Sequence, residues 1–166
     1  SRWWVTRSCS FLAAASQRTP ELVNALMVQG VKLRFAMDLL AALNGRIMSK
    51  AWSFTVPEQY HTQSCLMVMG SEGRGEQILK TDQDNGLILA DDCQWPTVAE
   101  EMNTLTETLI QLGYPPCPGN IMVSNPEWVG TVSQWKNNIT KWVNARDGDS
   151  LMKLAILLDS HGVAGN

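Results

Sequence analysis

MGSEGRGEQILKTDQDNGLIL, residues 69–89, joins a glycine-rich loop to two aspartates and an apolar run. The loop begins at Gly70 where one apolar segment (residues 64–69) ends, and the aspartates come just before another (residues 87–90). Short apolar runs bounded by turn residues are typical of strands that are covered on both faces. The stretch therefore predicts two buried strands connected by a polar loop.

The N-terminal part of the chain has a helical pattern. Thr19-Pro20-Glu21 is typical of a helix start, because threonine caps, proline is tolerated at the first position and an acid favours the first turn. Apolar residues then recur at helical intervals with a break at Gly30, which predicts two helices or one helix kinked there. We expect residues 1–50 to form an N-terminal helical segment.

The rest of the chain alternates predicted strands and helices. Apolar spacing predicts helices over residues 96–112 and 132–143, and we interpret the tryptophans of the second helix as core rather than as a base-stacking platform. Apolar runs predict further strands at residues 121–124 and 154–158. For residues 51–166 this order predicts an α/β (α+β) core with a mixed sheet flanked by helices.

Composition narrows the class of protein. The 166 residues, 45% of them hydrophobic, are enough to bury one core. Thirteen basic and 16 acidic residues give a net charge of −3, so we expect no nucleic-acid partner. No apolar run reaches the roughly 20 residues of a membrane helix, and the N-terminus lacks a signal-peptide pattern. The four cysteines include no CxxC pair, so we expect free thiols and a cytoplasmic location.

The two ends of the sequence suggest a longer protein. The chain starts abruptly at Ser-Arg-Trp-Trp and stops shortly after an apolar run, so we expect a piece cut from a longer chain. Two interpretations of Trp3 and Trp4 remain open. They form either a contact surface, for missing segments or for a second copy in a homodimer, or a part of the chain's own core.

The glycine-rich loop is suited to an anion. Gly70 and Gly73 allow backbone N–H groups to approach a phosphate closely, Ser71 adds a hydroxyl donor and Arg74 adds a positive charge. Glycine-rich turns between strands are also common without any ligand. The loop alone therefore leaves a phosphate site and a plain turn both open.

Asp82 and Asp84 suggest a metal site. Residues i and i+2 of a strand project from the same face, so the two carboxylates would lie side by side and repel unless a cation sits between them. Mg²⁺ prefers oxygen ligands and usually takes one or two carboxylates together with substrate phosphates. The alternative is a polar turn in which the carboxylates cap backbone amides.

Gly-Ser, ten residues and then DxD, framed by apolar runs, resembles the signature of the nucleotidyltransferase superfamily. This superfamily includes DNA polymerase beta and the protein-modifying adenylyl- and uridylyltransferases. The segments GSEGRGEQ, TDQDN, CPGN, SNPEW and LLDSHGVAG are more similar still to one branch, the nucleotidyltransferase domain of bacterial signal-transduction proteins found with CBS and cyclic-nucleotide-binding domains. The resemblance covers residues 21–165 and implies a nucleotidyltransferase-like mixed sheet.

The resemblance implies roles for the residues of the loop and the DxD pair. Gly70 and Ser71 would cradle the phosphates of a nucleoside triphosphate, with Gly73 and Arg74 of the same loop beside them. The pair would bind Mg²⁺ or Mn²⁺. The two residues that we expect to act as ligands are Asp82 and Asp84.

The resemblance also implies a third metal-binding carboxylate from a later strand. We choose Asp159, because it closes the apolar run at residues 154–158 and would reach the same sheet edge. Glu76 and Asp91 are competitors. Two residues depart from the family pattern. Asn85 stands where many relatives in the wider superfamily carry an apolar residue, although the signalling branch tolerates asparagine there. His161 stands where the branch carries an arginine, which weakens a triphosphate contact there.

The reaction implied is transfer of a nucleotidyl group from a nucleoside triphosphate to an acceptor by a two-metal mechanism. The acceptor would be another protein in a signalling pathway, and the regulatory domains of the longer chain would be further partners. A different class of function stays open beside the enzyme. It is a non-catalytic regulatory or protein-interaction module that binds nucleotide and metal.

Overall fold

The computed structural model describes residue 10 and residues 12–14, 16–70 and 82–166. Its helices and strands confirm the predicted α/β fold class with helices flanking a mixed sheet. In chain order the elements are α1 (Thr19–Val28), α2 (Leu33–Thr55), β1 (Ser64–Val68), β2 (Asn85–Leu89), α3 (Val98–Gln111), β3 (Val129–Thr131), α4 (Val132–Ala145), α5 (Gly148–Leu158) and β4 (His161–Gly165).

The strands form one sheet in the order β3-β2-β1-β4. β1 is antiparallel to both β2 and β4, whereas β3 is parallel to β2. Val68 pairs with Asn85 on one side and with His161 on the other. The last residue of β1 therefore lies beside the first residues of β2 and β4. We call this edge, where Gly70 follows β1, the Gly70 end of the sheet.

Alternate residues of β1 enter two separate cores. Leu66 and Val68 face α2 and α3, in a cluster that includes Trp52 of α2 and Leu105 of α3. On the opposite face of the sheet, Met67 and Met69 pack against three tryptophans, which are Trp128, Trp135 and Trp142. This arrangement confirms that β1 is covered on both faces, and that the tryptophans of α4 belong to the core.

The N-terminal pattern is confirmed as two helices, with Gly30 at φ +79° between them. The prediction that Thr19 caps the first helix is wrong. Arg18 before it already has helical backbone angles, and Thr19 is the first residue of α1 rather than its cap. α2 continues across residue 50 to Thr55 and contributes to the core from both sides of that position. The division at residue 50 stays a prediction.

Two predicted strands are wrong. Residues 121–124 form bends and turns rather than a strand. The Ile121 carbonyl oxygen accepts from the Asn85 N–H at the start of β2, but the Val123 N–H donates to the Asn85 side chain and not to a strand backbone. Residues 154–158 belong to α5, which begins where the Asp147 side chain accepts a hydrogen bond from the Ser150 N–H (2.8 Å). The final strand, β4, comes after this helix.

The described cysteines are free, as the sequence predicts: Cys65, Cys93 and Cys117 are partly buried thiols. Within the described ranges, no helix combines the length and the apolar character that a membrane crossing requires. Trp3 and Trp4 lie outside the described residues, so both interpretations of them stay open.

Candidate functional site

Gly70 and Asp84 are in direct contact at the Gly70 end of the sheet. Gly70 has φ +60°, and a Cβ built on it would stand 2.7 Å from the Asp84 Oδ2 atom. The Met69 N–H donates to the Asp84 carbonyl oxygen (2.8 Å), which fixes the two backbones side by side. A residue with a side chain at position 70 would both strain the backbone and displace the carboxylate. Glycine is therefore required by this contact.

Gln83 anchors the segment that carries the two aspartates. Its side chain is fully buried, and its Nε2 donates to the Tyr114 carbonyl oxygen (3.0 Å). Its N–H donates to the Pro115 carbonyl oxygen (2.8 Å). Asp82 and Asp84 on either side of it are only partly buried. The two aspartates thus alternate with a buried residue, but the prediction that they lie on a strand is wrong, because the segment comes before β2.

Asn85 extends the same anchoring into the first residue of β2. The buried side chain accepts a hydrogen bond from the Val123 N–H at Oδ1 (2.9 Å), and its own N–H donates to the Ile121 carbonyl oxygen (3.1 Å). An apolar residue would leave the Val123 N–H without this acceptor. Asn85 therefore holds the turn at residues 121–123 against the start of β2.

The Asp84 carboxyl is electrostatically unfavourable as an anion. Burial is the main cause that raises the pKa of Asp84 above its usual value, and the charge of Asp82 raises it further. A hydrogen bond from the Cys117 thiol acts in the opposite direction and is smaller than the effect of burial. A bound cation would relieve both unfavourable effects, so the carboxylate is suited to a metal ion.

Cys117 interacts with Asp84, which the sequence does not predict. Hydrogen bonding with the Cys117 side chain lowers the pKa of Asp84, and hydrogen bonding with the backbone of Ile121 and Gly119 lowers the pKa of the thiol. Burial is the main cause that raises the pKa of the thiol, and Asp84 adds to it. The sequence pattern PPCPGN predicts a rigid turn, and favours a turn without chemistry over one that shapes the rim of the pocket. A cysteine among prolines and a glycine is the only signal in the sequence of this turn. It does not indicate which residue the cysteine side chain contacts.

Asp159 follows the last residue of α5 and precedes His161 by two positions. Because His161 pairs with Val68, the topology places Asp159 at the Gly70 end of the sheet. Among the residues that the structure describes, however, no three His, Cys, Asp or Glu side chains form a group able to hold a metal ion. The structure thus brings Asp82 and Asp84 together, whereas the role of Asp159 as a third ligand stays a prediction.

Asp91 is not suited to be the third ligand. It follows β2 at the opposite end of the sheet from Gly70. Its two carboxylate oxygens accept hydrogen bonds from the N–H and the hydroxyl of Ser133, both at 2.8 Å. The side chain therefore tethers the first turn of α4. The other competitor, Glu76, lies outside the described residues.

The donor set fits Mg²⁺ or Mn²⁺. Two partly buried carboxylates supply oxygen ligands, and the missing Cβ of Gly70 is what lets the Asp84 carboxylate lie against the bend. The residues predicted to hold the phosphates lie outside the described residues; they are Ser71, Gly73 and Arg74. Their assignment stays a prediction.

A mixed sheet with a glycine bend and an acidic pair at one end, flanked by helices, is a nucleotidyltransferase-like domain. The chain belongs to the family described as "Putative nucleotidyltransferase DUF294", whose family model matches residues 17–149. The match includes Gly70, Asp82, Asp84 and Cys117 and stops before Asp159. Membership implies a nucleotide as substrate. No curated protein and no solved structure is detectably similar to the chain.

Proposed function

We propose that the protein is a metal-dependent nucleotidyltransferase that moves a nucleotidyl group from a nucleoside triphosphate to an acceptor. The observation that carries this proposal is the contact between Gly70 and Asp84. It joins the bend after β1 to an acidic pair whose mutual repulsion and burial favour a cation. In the reaction of this family, a metal-bound triphosphate has to contact both the glycine bend and the acidic pair.

Each part of the site has a role in the proposal. Asp82 and Asp84 hold Mg²⁺ or Mn²⁺, and Asp159 is the proposed third ligand. When bound, the ion would neutralise phosphate charge and assist displacement of pyrophosphate by the acceptor oxygen. Ser71, Gly73 and Arg74 are proposed, on the resemblance alone, to hold the phosphates.

The chain's own residues act by alignment and by charge. Gln83 and Asn85 fix the backbone on both sides of Asp84, which limits the movement of the acidic segment. Partial burial keeps water away from Asp84 and makes its charge more effective toward a cation. No nucleophilic side chain is needed, because the acceptor supplies the attacking oxygen. The protein contributes position rather than covalent chemistry.

A regulatory module that binds nucleotide and metal without turnover is the second candidate. It is favoured by one observation, that Asp82 and Asp84 are not joined by a third acidic side chain in the described ranges. Two carboxylates with substrate phosphates are enough to bind one ion. Two-metal transfer in this superfamily uses three carboxylates.

The wider setting is also a proposal. We place the protein in the bacterial cytoplasm, in a signalling pathway, with a protein hydroxyl as acceptor and with regulatory domains of a longer chain or a second copy as partners. The resemblance to the branch with CBS and cyclic-nucleotide-binding domains supports this setting. The free thiols agree with a reducing compartment.

The test compares wild type with Asp82→Asn and Asp84→Asn. Binding of ATP, GTP, CTP and UTP is measured by calorimetry with and without Mg²⁺, and transfer is followed with α-labelled nucleotides in a bacterial extract together with pyrophosphate release. Asp38→Asn, an exposed change on α2, is the matched control. Mg²⁺-dependent binding and release that both variants lose support the enzyme. Binding without release supports the regulatory module, and no binding at all overturns both.

A further inference from the structure

A cavity of about 590 Å³ is bordered by α1, α2 and the segment that precedes α1. Four aliphatic side chains line it, and they are Leu12, Leu22, Leu43 and Ile47. Sites for small molecules are typically concave, mostly apolar and about 300–1,000 Å³ in volume. The cavity therefore has the size and the apolar lining of a small-molecule site.

The charged residues at this cavity all have the same sign. Arg18, which precedes α1, lines it together with Arg46 and Lys50 of α2, and the described lining residues include no acidic side chain. Arg46 and Lys50 are four positions apart and so lie on the same face of α2. Acidic residues outnumber basic ones in the whole chain, 16 to 13, so this is a local concentration of positive charge.

The fold itself makes little use of these charges. Within the described residues, Arg46 and Lys50 form no ion pair with a carboxylate. The Lys50 Nζ lies 5.5 Å from the centre of the Phe54 ring, a cation–π contact that does not neutralise its charge. Arg18 pairs loosely with Glu21 (3.8 Å), and a pair as exposed as this one contributes little. The positive charges are therefore available to a ligand.

Both sides of the cavity are fastened to the same segment, residues 112–114. The Ser16 hydroxyl, in the segment before α1, donates to the Leu112 carbonyl oxygen (2.9 Å) in a buried hydrogen bond. The Tyr114 hydroxyl donates to Asn44 Oδ1 of α2 (2.8 Å), also in a buried position. These contacts hold the segment before α1 and α2 in place without any ligand, so the cavity is preformed.

We propose that this cavity binds a small amphiphilic anion, a molecule with one acidic head group on an apolar body. The aliphatic side chains contact the body, and Arg46 and Lys50 contact the head group. Charge selects this occupant, because a neutral apolar molecule would leave the cations unused and a cationic one would be repelled. None of Gly70, Asp82 and Asp84 lines the cavity, so the inference does not depend on the proposed function.

The test uses three probes that share one hydrocarbon chain and differ in charge: decanoate, decanol and decylammonium. Calorimetry measures their binding to the full 166-residue chain at concentrations below micelle formation. We expect wild type to bind decanoate with one molecule per chain and more tightly than decanol. Decylammonium should bind most weakly, because the cations repel it.

Three variants separate charge from apolar contact, and thermal unfolding shows that each is folded. Arg46→Gln/Lys50→Gln should lower decanoate affinity by about tenfold, because exposed opposite charges contribute up to about fivefold each, and should leave decanol affinity unchanged. Arg34→Gln/Lys141→Gln is the matched control, because it removes the same two residue types at exposed positions outside the cavity. Leu22→Gln, at a side chain that is partly exposed, should weaken decanoate and decanol by the same factor.

Four results would overturn the inference. If wild type binds decanol or decylammonium as tightly as decanoate, the cations do not select the ligand. If the control variant loses as much decanoate affinity as Arg46→Gln/Lys50→Gln, the effect comes from net charge and not from the cavity. If Leu22→Gln leaves both affinities unchanged, the probes bind elsewhere. Binding of wild type to vesicles of anionic phospholipid without affinity for free decanoate would assign the cations to a membrane surface instead.

Discussion

Asp84 and Asp91 lie beyond opposite ends of β2, and their surroundings shift their pKa values in opposite directions. At one end Asp91 accepts two hydrogen bonds from Ser133, and these bonds are the main cause that lowers its pKa. At the other end burial raises the pKa of Asp84, and the charge of Asp82 adds to the effect. The ends are separated by one five-residue strand, roughly 15 Å. The same residue type is thus stabilised as an anion at one end and disfavoured at the other.

The difference separates a carboxylate that stabilises the fold from one that is suited to binding a cation. The charge of Asp91 is used within the fold to tether α4. The charge of Asp84 is held beside a second carboxylate and partly out of water, although a neutral residue would be more favourable there. Perturbed carboxyl groups of this kind cluster at functional sites. The comparison therefore assigns Asp91 to stability and Asp84 to the proposed metal site.

Gly70→Ala should have the largest effect on the Gly70 end. A non-glycine residue at φ +60° costs about 1–2 kcal/mol, and the new methyl group would push the Asp84 carboxylate away. We expect loss of Mg²⁺-dependent nucleotide binding together with a stability decrease of about that size. Calorimetry and chemical denaturation measure the two quantities.

Gly45→Ala is the control for this change. Gly45 lies inside α2 with nothing within 4 Å of its added Cβ, so the substitution should stabilise the protein by about 0.5–1 kcal/mol. It should leave nucleotide binding unchanged. Normal binding by Gly70→Ala would show that contact with Asp84 does not matter.

Asp84→Ala and Asp91→Ala should affect opposite properties. Asp84→Ala should abolish metal-dependent binding but leave the protein at least as stable at neutral pH, because an unfavourable charge is removed. Asp91→Ala should lower the unfolding temperature and leave binding intact, because Ser133 loses its acceptor. Thermal unfolding without divalent ions and calorimetry with Mg²⁺ give the comparison. Loss of binding in both variants, or of stability in both, would remove the distinction between the two ends.

Much of the fold could be predicted from local pattern. β1 and β2 follow from short apolar runs, and α3 and α4 follow from apolar periodicity; both signals depend only on neighbours in the chain. Residues 154–158 were assigned wrongly because an unbroken apolar run fits a strand and a buried helix equally well. The side-chain contact at the start of α5, from Asp147 to Ser150, favours the helix. This contact cannot be recognised from the sequence alone, because the residue at which the helix begins is not known.

The site could be predicted in part. Glycine and the acidic pair were found because their spacing resembles a family signature, and the structure places Gly70 against Asp84. The interaction of Cys117 with Asp84 could not be predicted, because the two residues are distant in sequence and meet only where residues 115–123 fold back onto the acidic segment. The hydrogen bond that the Asn85 side chain accepts from the Val123 N–H could not be predicted from the sequence either, because it depends on the same fold-back.

Asn85→Ala should test whether the acidic segment depends on its buried anchors. Removal of the side chain leaves the Val123 N–H without its acceptor, and an unsatisfied buried donor costs about 1–3 kcal/mol. We expect lower stability of this size by chemical denaturation, together with weaker metal-dependent binding. Asn137→Ala, an exposed change on α4, should stay within about 0.5 kcal/mol of wild type. Equal stability of the two variants would mean that the anchor is dispensable.

The smallest expected effect is on the pH dependence of stability, and it should have opposite signs at the two ends. The folded-state pKa of Asp84 is raised, so the native protein binds more protons than the unfolded chain above the usual aspartate pKa of about 3.9, and stability falls as pH rises through that window. The folded-state pKa of Asp91 is lowered, so its contribution is present above about 3.9 and is lost as pH falls through the folded value.

Denaturation of wild type, Asp84→Ala and Asp91→Ala across this pH range, without divalent ions, measures both slopes. The stability of Asp84→Ala relative to wild type should increase as pH rises above about 4. The deficit of Asp91→Ala should shrink as the solution is acidified below that value. Because the two aspartates have the same intrinsic chemistry, opposite slopes can come only from their surroundings. Slopes of the same sign would mean that the surroundings shift the pKa values of Asp84 and Asp91 in the same direction. The proposed metal site at Asp84 would then lack electrostatic support.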